Sequence, residues 1–183
     1  MNRRYWIVSS NVRSDRMHSK WRATILGQHV ALMGWSPVAA PKTPGEKMGT
    51  AFAREIEPGD AVLITYGNDR KLVAVARVAK NNGTPPTLPA ELSIHYRKKE
   101  KGPGYSSFKR FDRFIPLDSD PSRQGISFVG STGFGGAVTW ALCKLDPIHN
   151  VADSRICNWM DKVLKTHSNK RTSPKSTKSL TFL

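Results

Sequence analysis

Cysteine is scarce in this chain of 183 residues: Cys143 and Cys157 are the only two, and they lack metal-ligand spacing. One falls in an expected strand and the other in an expected helix, so both read as buried thiols. Five scattered histidines, His18, His29, His95, His149 and His167, never pair in the His-Glu-x-x-His manner, and no metal site is read. Long apolar runs are missing too. None reaches membrane-spanning length, and the N-terminus passes from Arg3-Arg4 straight into a strand without the apolar core of a signal peptide. The expectation is a reducing, cytoplasm-like compartment and no membrane partner. Carboxylates are few, and Asp60, Asp69, Asp112, Asp118 and Asp120 fall in turns or at strand ends instead of clustering as nuclease metal ligands. Neither cysteine has a histidine partner in a recognisable motif, and no Gly-x-Ser-x-Gly elbow occurs. The reading is therefore a protein that is not an enzyme and uses no cofactor, with a nuclease of unrecognised motif as the alternative.

What the chain has in excess is positive charge: 29 Lys and Arg against 14 Asp and Glu, a formal net charge of +15. Such an imbalance points to a polyanionic partner, with nucleic acid first among them. The length suits one domain able to bury a core without disulfide staples. The expected organisation is a folded domain over 1–167 followed by a flexible basic tail over 168–183, where Ser, Thr, Lys and Pro dominate.

Within the domain the clearest signal is a β-hairpin. Pro58-Gly59-Asp60 launches the apolar run 61–64, Gly67-Asn68-Asp69 reverses the chain, and a second β-branched run follows over 71–78. A first strand is expected over 5–9 and ends in the polar Ser9-Ser10-Asn11. Apolar residues at helical spacing predict an amphipathic helix over 17–33, imperfect at Gly27. Proline and glycine over 34–49 predict a loop carrying Trp35. Another turn is expected over 81–86, an exposed basic segment over 97–102, a strand over 108–117, and a glycine-rich stretch over 125–136 leading into a strand over 137–145. A final helix is expected over 153–167, capped by Asn150 or Asp153.

Tyr5-Trp6-Ile7-Val8-Ser9-Ser10-Asn11, the Pro58-Gly59-Asp60 entry with its Tyr66-Gly67-Asn68 turn, and Arg113-Phe114-Ile115-Pro116-Leu117 together resemble the EVE family of the PUA-like superfamily, over roughly residues 3–146. The resemblance implies an α+β fold, a PUA-like bent β-barrel with flanking helices. It also implies a pocket for a single, often modified, nucleobase, used in bacterial restriction or defence beside a separate nuclease subunit. Carried onto this chain, the pocket residues are Ser9, Ser10, Asn11, Trp35, Tyr66 and Asn68, with Trp21 or Trp140 as alternative aromatic lining. Ser10 and Asn11 stand where many members have an acidic residue and a proline, which alters the hydrogen bonding offered to a base.

The chemistry is consistent with that reading. A base bound outside its stack needs aromatic faces, worth about 1–3 kcal/mol per base, and polar groups for its Watson–Crick edge. Trp35 and Tyr66 supply faces; Ser and Asn supply polar groups. Arg13, Arg16, Lys20, Lys98, Lys99 and Lys109 would hold phosphates without reading sequence. Blander roles compete at each position: Trp35 can cap a core, Tyr66 can pack across strands, and Ser9-Ser10-Asn11 can merely end a strand. DNA is favoured as the polymer, with an RNA-binding PUA-like domain as the alternative.

Overall fold

The computed structural model describes residues 3–10, 15–66, 71–90, 107–132 and 142–166, except the side chains at 10, 15–18 and 118–119. Asn11, Arg13, Asn68, Lys98, Lys99, Trp140 and the tail therefore lie outside the described residues, as does the side chain of Arg16.

Six strands form one mixed sheet: β1 (Tyr5–Ser10), β2 (Val30–Met33), β3 (Ala61–Tyr66), β4 (Lys71–Val78), β5 (Ser107–Ser119) and β6 (Leu142–Lys144). Their spatial order is β2-β5-β4-β3-β1-β6, and the sheet curls into a half-barrel. Only β1 and β3 run parallel; the other neighbours are antiparallel. The described helices are α1 (Asp15–Gln28), α2 (Pro44–Arg54) and α3 (Val151–Thr166). The protein is thus α+β, with helices flanking a bent sheet.

The sheet interior is apolar on both faces because both are covered. Ala61, Val62, Leu63, Ile64 and Thr65 of β3 are all buried, the pattern of a strand with a layer on either side. One layer gathers Trp6, Val8, Trp21, Ile25, Phe52, Val62 and Ile64 beneath α1 and α2. The other gathers Ile7, Leu63, Val75, Ile115, Ile156, Met160 and Leu164 beneath α3. Alternate residues of β1 and β3 feed the two layers, as the two-residue period of a strand requires. Each large side chain fully buried in this way contributes roughly 1.5–3 kcal/mol.

The hairpin expectation holds: β3 and β4 pair antiparallel, Ala61 opposite Arg77 and Tyr66 opposite Lys71. The strand expected over 108–117 is β5, the longest of the described strands. The helix expected over 153–167 is α3, Val151–Thr166 among the described residues, where Asn150 Oδ1 accepts from Asp153 N at 3.0 Å, a cap at the helix start. Cys143 and Cys157 are free thiols, in β6 and α3 respectively; Cys157 is buried as expected, whereas Cys143 is only half-buried, on a strand of three residues at the end of the sheet order.

Two expectations are corrected. The helix predicted over 17–33 ends at Gln28, and 30–33 form β2, paired with β5 from Val30–Arg110 to Met33–Ser107. The break sits at His29, in the left-handed region at φ 51°, its ring stacked on Phe114 at 4.6 Å and its carbonyl accepting from Phe111 N. Four consecutive buried residues, Val30, Ala31, Leu32 and Met33, fit a strand enclosed on both faces, which helical spacing alone cannot reveal. The stretch predicted as loop to residue 49 contains the start of α2. Thr43 Oγ1 accepts from Glu46 N while the Glu46 carboxylate accepts from Thr43 N, with Pro44 at the first helical position: a capping box.

Candidate functional site

β1 connects two chemically different ends of the sheet. Its N-terminal end borders a cleft of about 500 Å³ lined by Arg3, Arg4 and Tyr5, by Glu57 to Asp60, and by Asp161 of α3. Gly59, at φ 90°, makes the turn that returns Asp60 to the sheet. Asp60 is 4% exposed; its Oδ2 accepts from Trp6 Nε1 at 3.0 Å and Glu57 N at 2.9 Å and lies 3.1 Å from the Arg4 guanidinium. Across the cleft, Asp161 accepts from Arg3 at 2.7 Å and from the Tyr5 hydroxyl at 2.9 Å. Burial and that hydrogen bond push the Tyr5 phenol up to about 12. The cleft's arginines are thus held by its own carboxylates, which suits fastening the strand to α3 and the turn better than capturing phosphate.

The C-terminal end of β1 carries the predicted polar residues. Ser9 pairs with Thr65 and Ser10 with Tyr66 in the parallel ladder. Strand alternation separates them: Ser9 and Thr65 share the face beneath α3, whereas Tyr66 packs against the layer beneath α1 and α2. Ser9 and Tyr66 therefore face opposite sides of the sheet and cannot line one pocket wall. Tyr66 is half-buried, with the Lys71 ammonium 5.8 Å from its ring centroid, and Thr65 Oγ1 is buried without a hydrogen-bond partner among the described residues.

Trp35 lies in the segment linking β2 to α2. The helix meets it with two glycines one turn apart: a Cβ at Gly45 would fall 2.5 Å from the indole, and one at Gly49 2.4 Å from the Trp35 carbonyl oxygen. Thr50 fastens the following residues, its Oγ1 accepting from Val38 N at 3.1 Å and donating to Val38 O at 3.3 Å. The indole is therefore seated on a flat patch of helix backbone and remains 36% exposed. This is an aromatic surface fixed in place, with Lys42 and Lys47 exposed on the same stretch. The sequence did carry its signals, the Thr43–Glu46 capping box and the Gly45–Gly49 spacing, but a proline- and glycine-rich composition masked them.

Trp21 and Lys109 occupy different places from those their types suggested. Trp21 is 2% exposed in the core, so it lines no open surface. Lys109 is 8% exposed, and its ammonium donates to Ala53 O and Ile56 O at 2.9 Å each. It closes the C-terminal end of α2 where carbonyls lack helical partners, and it is not a surface phosphate ligand. Burial pushes its pKa below the ordinary lysine value, while the Asp60 and Glu57 charges pull it back. Lys20 is half-buried on α1.

Charge is the most widely distributed feature. Nineteen of the 29 Lys and Arg and eleven of the 14 Asp and Glu fall within the described residues, so an excess of eight positive charges belongs to the described part itself. Most of its carboxylates are engaged internally: Asp60 and Asp153 are buried, Glu46 caps α2, Asp112 pairs with Arg77, Asp120 accepts from Ser122, Asp146 from His149, and Asp161 from Arg3. Each Arg–Asp pair cancels a charge of either sign, so it is the net excess of eight that makes the described part cationic. Among the described residues no group of three or more His, Cys, Asp or Glu stands close enough to hold a metal ion, and no helix is long and apolar enough to cross a membrane. No protein-family model matches the chain, and no curated protein matches it.

Proposed function

We propose that this protein binds nucleic acid through its cationic surface and holds a single nucleobase, a modified cytosine in DNA, against the indole of Trp35. In this reading it is a binding protein of the EVE and PUA-like kind, the specificity part of a restriction or defence system that works beside a separate nuclease and has no catalysis of its own. The observation that carries it is the pairing of a net excess of eight positive charges in the described part with an indole seated on Gly45 and open to solvent. Tyr66, half-buried against the layer beneath α1 and α2, is the second aromatic surface of this reading. The methyl group of a modified cytosine adds only about 0.8 kcal/mol of buried apolar contact, so discrimination rests on the shape of the enclosure.

The test is a binding panel of oligonucleotides that differ only in one base modification, run at two salt concentrations. Affinity should fall steeply with salt, with a log–log slope of about −0.9 per phosphate neutralised on duplex DNA. Trp35→Ala should weaken binding of the modified oligonucleotide by about 5- to 150-fold, the worth of one stacking contact, and leave unmodified duplex nearly unchanged. Equal loss on every oligonucleotide would overturn the base-reading part. Affinity independent of salt would overturn the whole reading, and cleavage of modified DNA with added divalent metal would move the protein to the nuclease class.

A further inference from the structure

The three most exposed large aliphatic residues among those described, Val129, Ile148 and Val151 (86%, 83% and 72%), gather at the N-terminal end of α3. The turn bearing Val129 lies on the first turn of the helix: Asn150 Nδ2 donates to Gly130 O at 2.9 Å, and a Cβ at Gly130 would meet the Ala152 Cβ at 3.9 Å. The backbone that carries the three side chains is held from beneath by Asp153. That fully buried carboxylate accepts from the Ser131 and Thr132 hydroxyls, from Thr132 N at 3.1 Å and from Asp146 N at 2.8 Å. Asp146 in turn accepts from the backbone N–H groups of Ile148 and His149. A framework with this many fixed bonds holds the aliphatic groups in water, an arrangement that folding alone does not require.

The outward stripe of α3 continues from this patch. Val151, Arg155, Asn158, Lys162 and Lys165 are all exposed. At 100° per residue they fall within an arc of about 80°, and at 1.5 Å per residue they run ~21 Å along the helix. Ile156, Cys157, Met160 and Leu164 face the core from the opposite side. Arg155, Lys162 and Lys165 have no ion-pair partner among the described residues, while the nearby carboxylates are engaged: Asp146 with His149, Asp161 with Arg3 and Tyr5, and Asp153 beneath the surface. The face is thus aliphatic at one end and cationic along the rest.

We infer that this face docks an acidic amphipathic segment of a partner protein, aliphatic at one end and rich in Asp and Glu along the remainder. Charge complementarity decides the occupant. A second copy in a two-fold dimer would bring the same cationic stripe against itself. Nucleic acid suits the cations but gains little from Val and Ile, which offer no planar face to a base. An acidic amphipathic segment satisfies both ends at once, by burial of the aliphatic groups and by ion pairing along the stripe. The inference is independent of the base-binding reading, because it uses none of the residues assigned to it.

The experiment uses the full chain and a fluorescent synthetic peptide long enough to span ~21 Å as a helix, with leucines at one end and glutamates along the same face. Two variants are compared with the unsubstituted protein: Val129→Ser, Ile148→Ser and Val151→Ser combined, and Arg155→Glu with Lys162→Glu. All five positions are exposed, so the fold does not depend on them, and either variant decides the question alone. Each should weaken peptide binding by about tenfold or more, whereas the distant reversal Arg54→Glu with Lys80→Glu, equal in charge change to the second variant, should not. Equal binding by all proteins would overturn the inference. So would self-association, or binding to DNA duplex or to phosphatidylserine vesicles, that is lost specifically in the aliphatic-to-serine variant, since each names a different occupant.

Discussion

Lys109 shows how little a residue's type says about its role when burial is unknown. In sequence it is one basic residue among many on a strand; in the folded protein its ammonium sits under α2 between two carbonyls and near Asp60. Lys109→Met keeps the aliphatic stem and removes the donor. The expected cost is about 2–3 kcal/mol, the range for hydrogen bonds from a charged group with the acceptors left unpaired, read as a lower urea midpoint at unchanged m. Lys109→Arg should not restore it, because a planar fork does not fit two carbonyls closed around a point charge. Trp35 makes the complementary case. Its exposure gives it a candidate role, and the glycine at 45 gives it a fixed seat; neither property is visible from the indole alone.

At the scale of elements, α2 orients the Trp35 segment, and its start is set by local chemistry. Thr43→Ala removes the side-chain acceptor for Glu46 N and should destabilise the protein by about 1 kcal/mol, measured by denaturant melts. The Glu46 carboxyl is held below its ordinary value by the backbone N–H groups of Thr43 and Lys42. Its folded pKa is depressed, so the stability it contributes is present above the unfolded value and is lost as pH falls through the folded one. The capping residues stood in the sequence but were read as loop, because proline and glycine surround them; the hairpin, β1, β5 and α3 were legible, each marked by turn residues or a clean period. β2 was not. Its four apolar residues follow α1 with no proline or glycine between, and a non-glycine residue, His29, takes the left-handed turn that ends the helix. The stacking of His29 on Phe114 and the pairing of β2 with β5, both long-range, decide that boundary.

For the whole molecule, two groups at the contact of α3 with the sheet hold their protons more tightly in the folded state. Tyr5 donates to Asp161, and Cys157 is buried beside it; burial, with Asp153 and Asp161 nearby, pushes the Cys157 thiol up to about 12, and Tyr5 stands equally high. Both folded values lie above the unfolded ones, about 9 for the thiol and 10 for the phenol. Between those values and about 12 the unfolded chain releases protons that the folded chain retains, so stability falls with rising pH in that window. The melting temperature should accordingly be flat to about pH 9 and decline above it, and Tyr5→Phe should flatten the part of the decline that begins near pH 10. A decline of the same steepness in Tyr5→Phe would show that the Tyr5–Asp161 bond does not couple α3 to the sheet.

Composition alone established the cationic character of the molecule, because charge is a sum over residues and needs no coordinates. Local pattern established most strands and the last helix, since turn chemistry and side-chain period act within a few residues. Tertiary structure decided what those signals leave open: that Ser9 and Tyr66 face opposite sides of the sheet, that Trp21 and Lys109 are buried, and that Trp35 is seated and open. It also decided that carboxylates distant in sequence turn inward to arginines and backbone donors, as Asp161 does to Arg3. Facing, burial and pairing are properties of long-range contacts, and the free energy that sets them exists only once the layers have closed on one another.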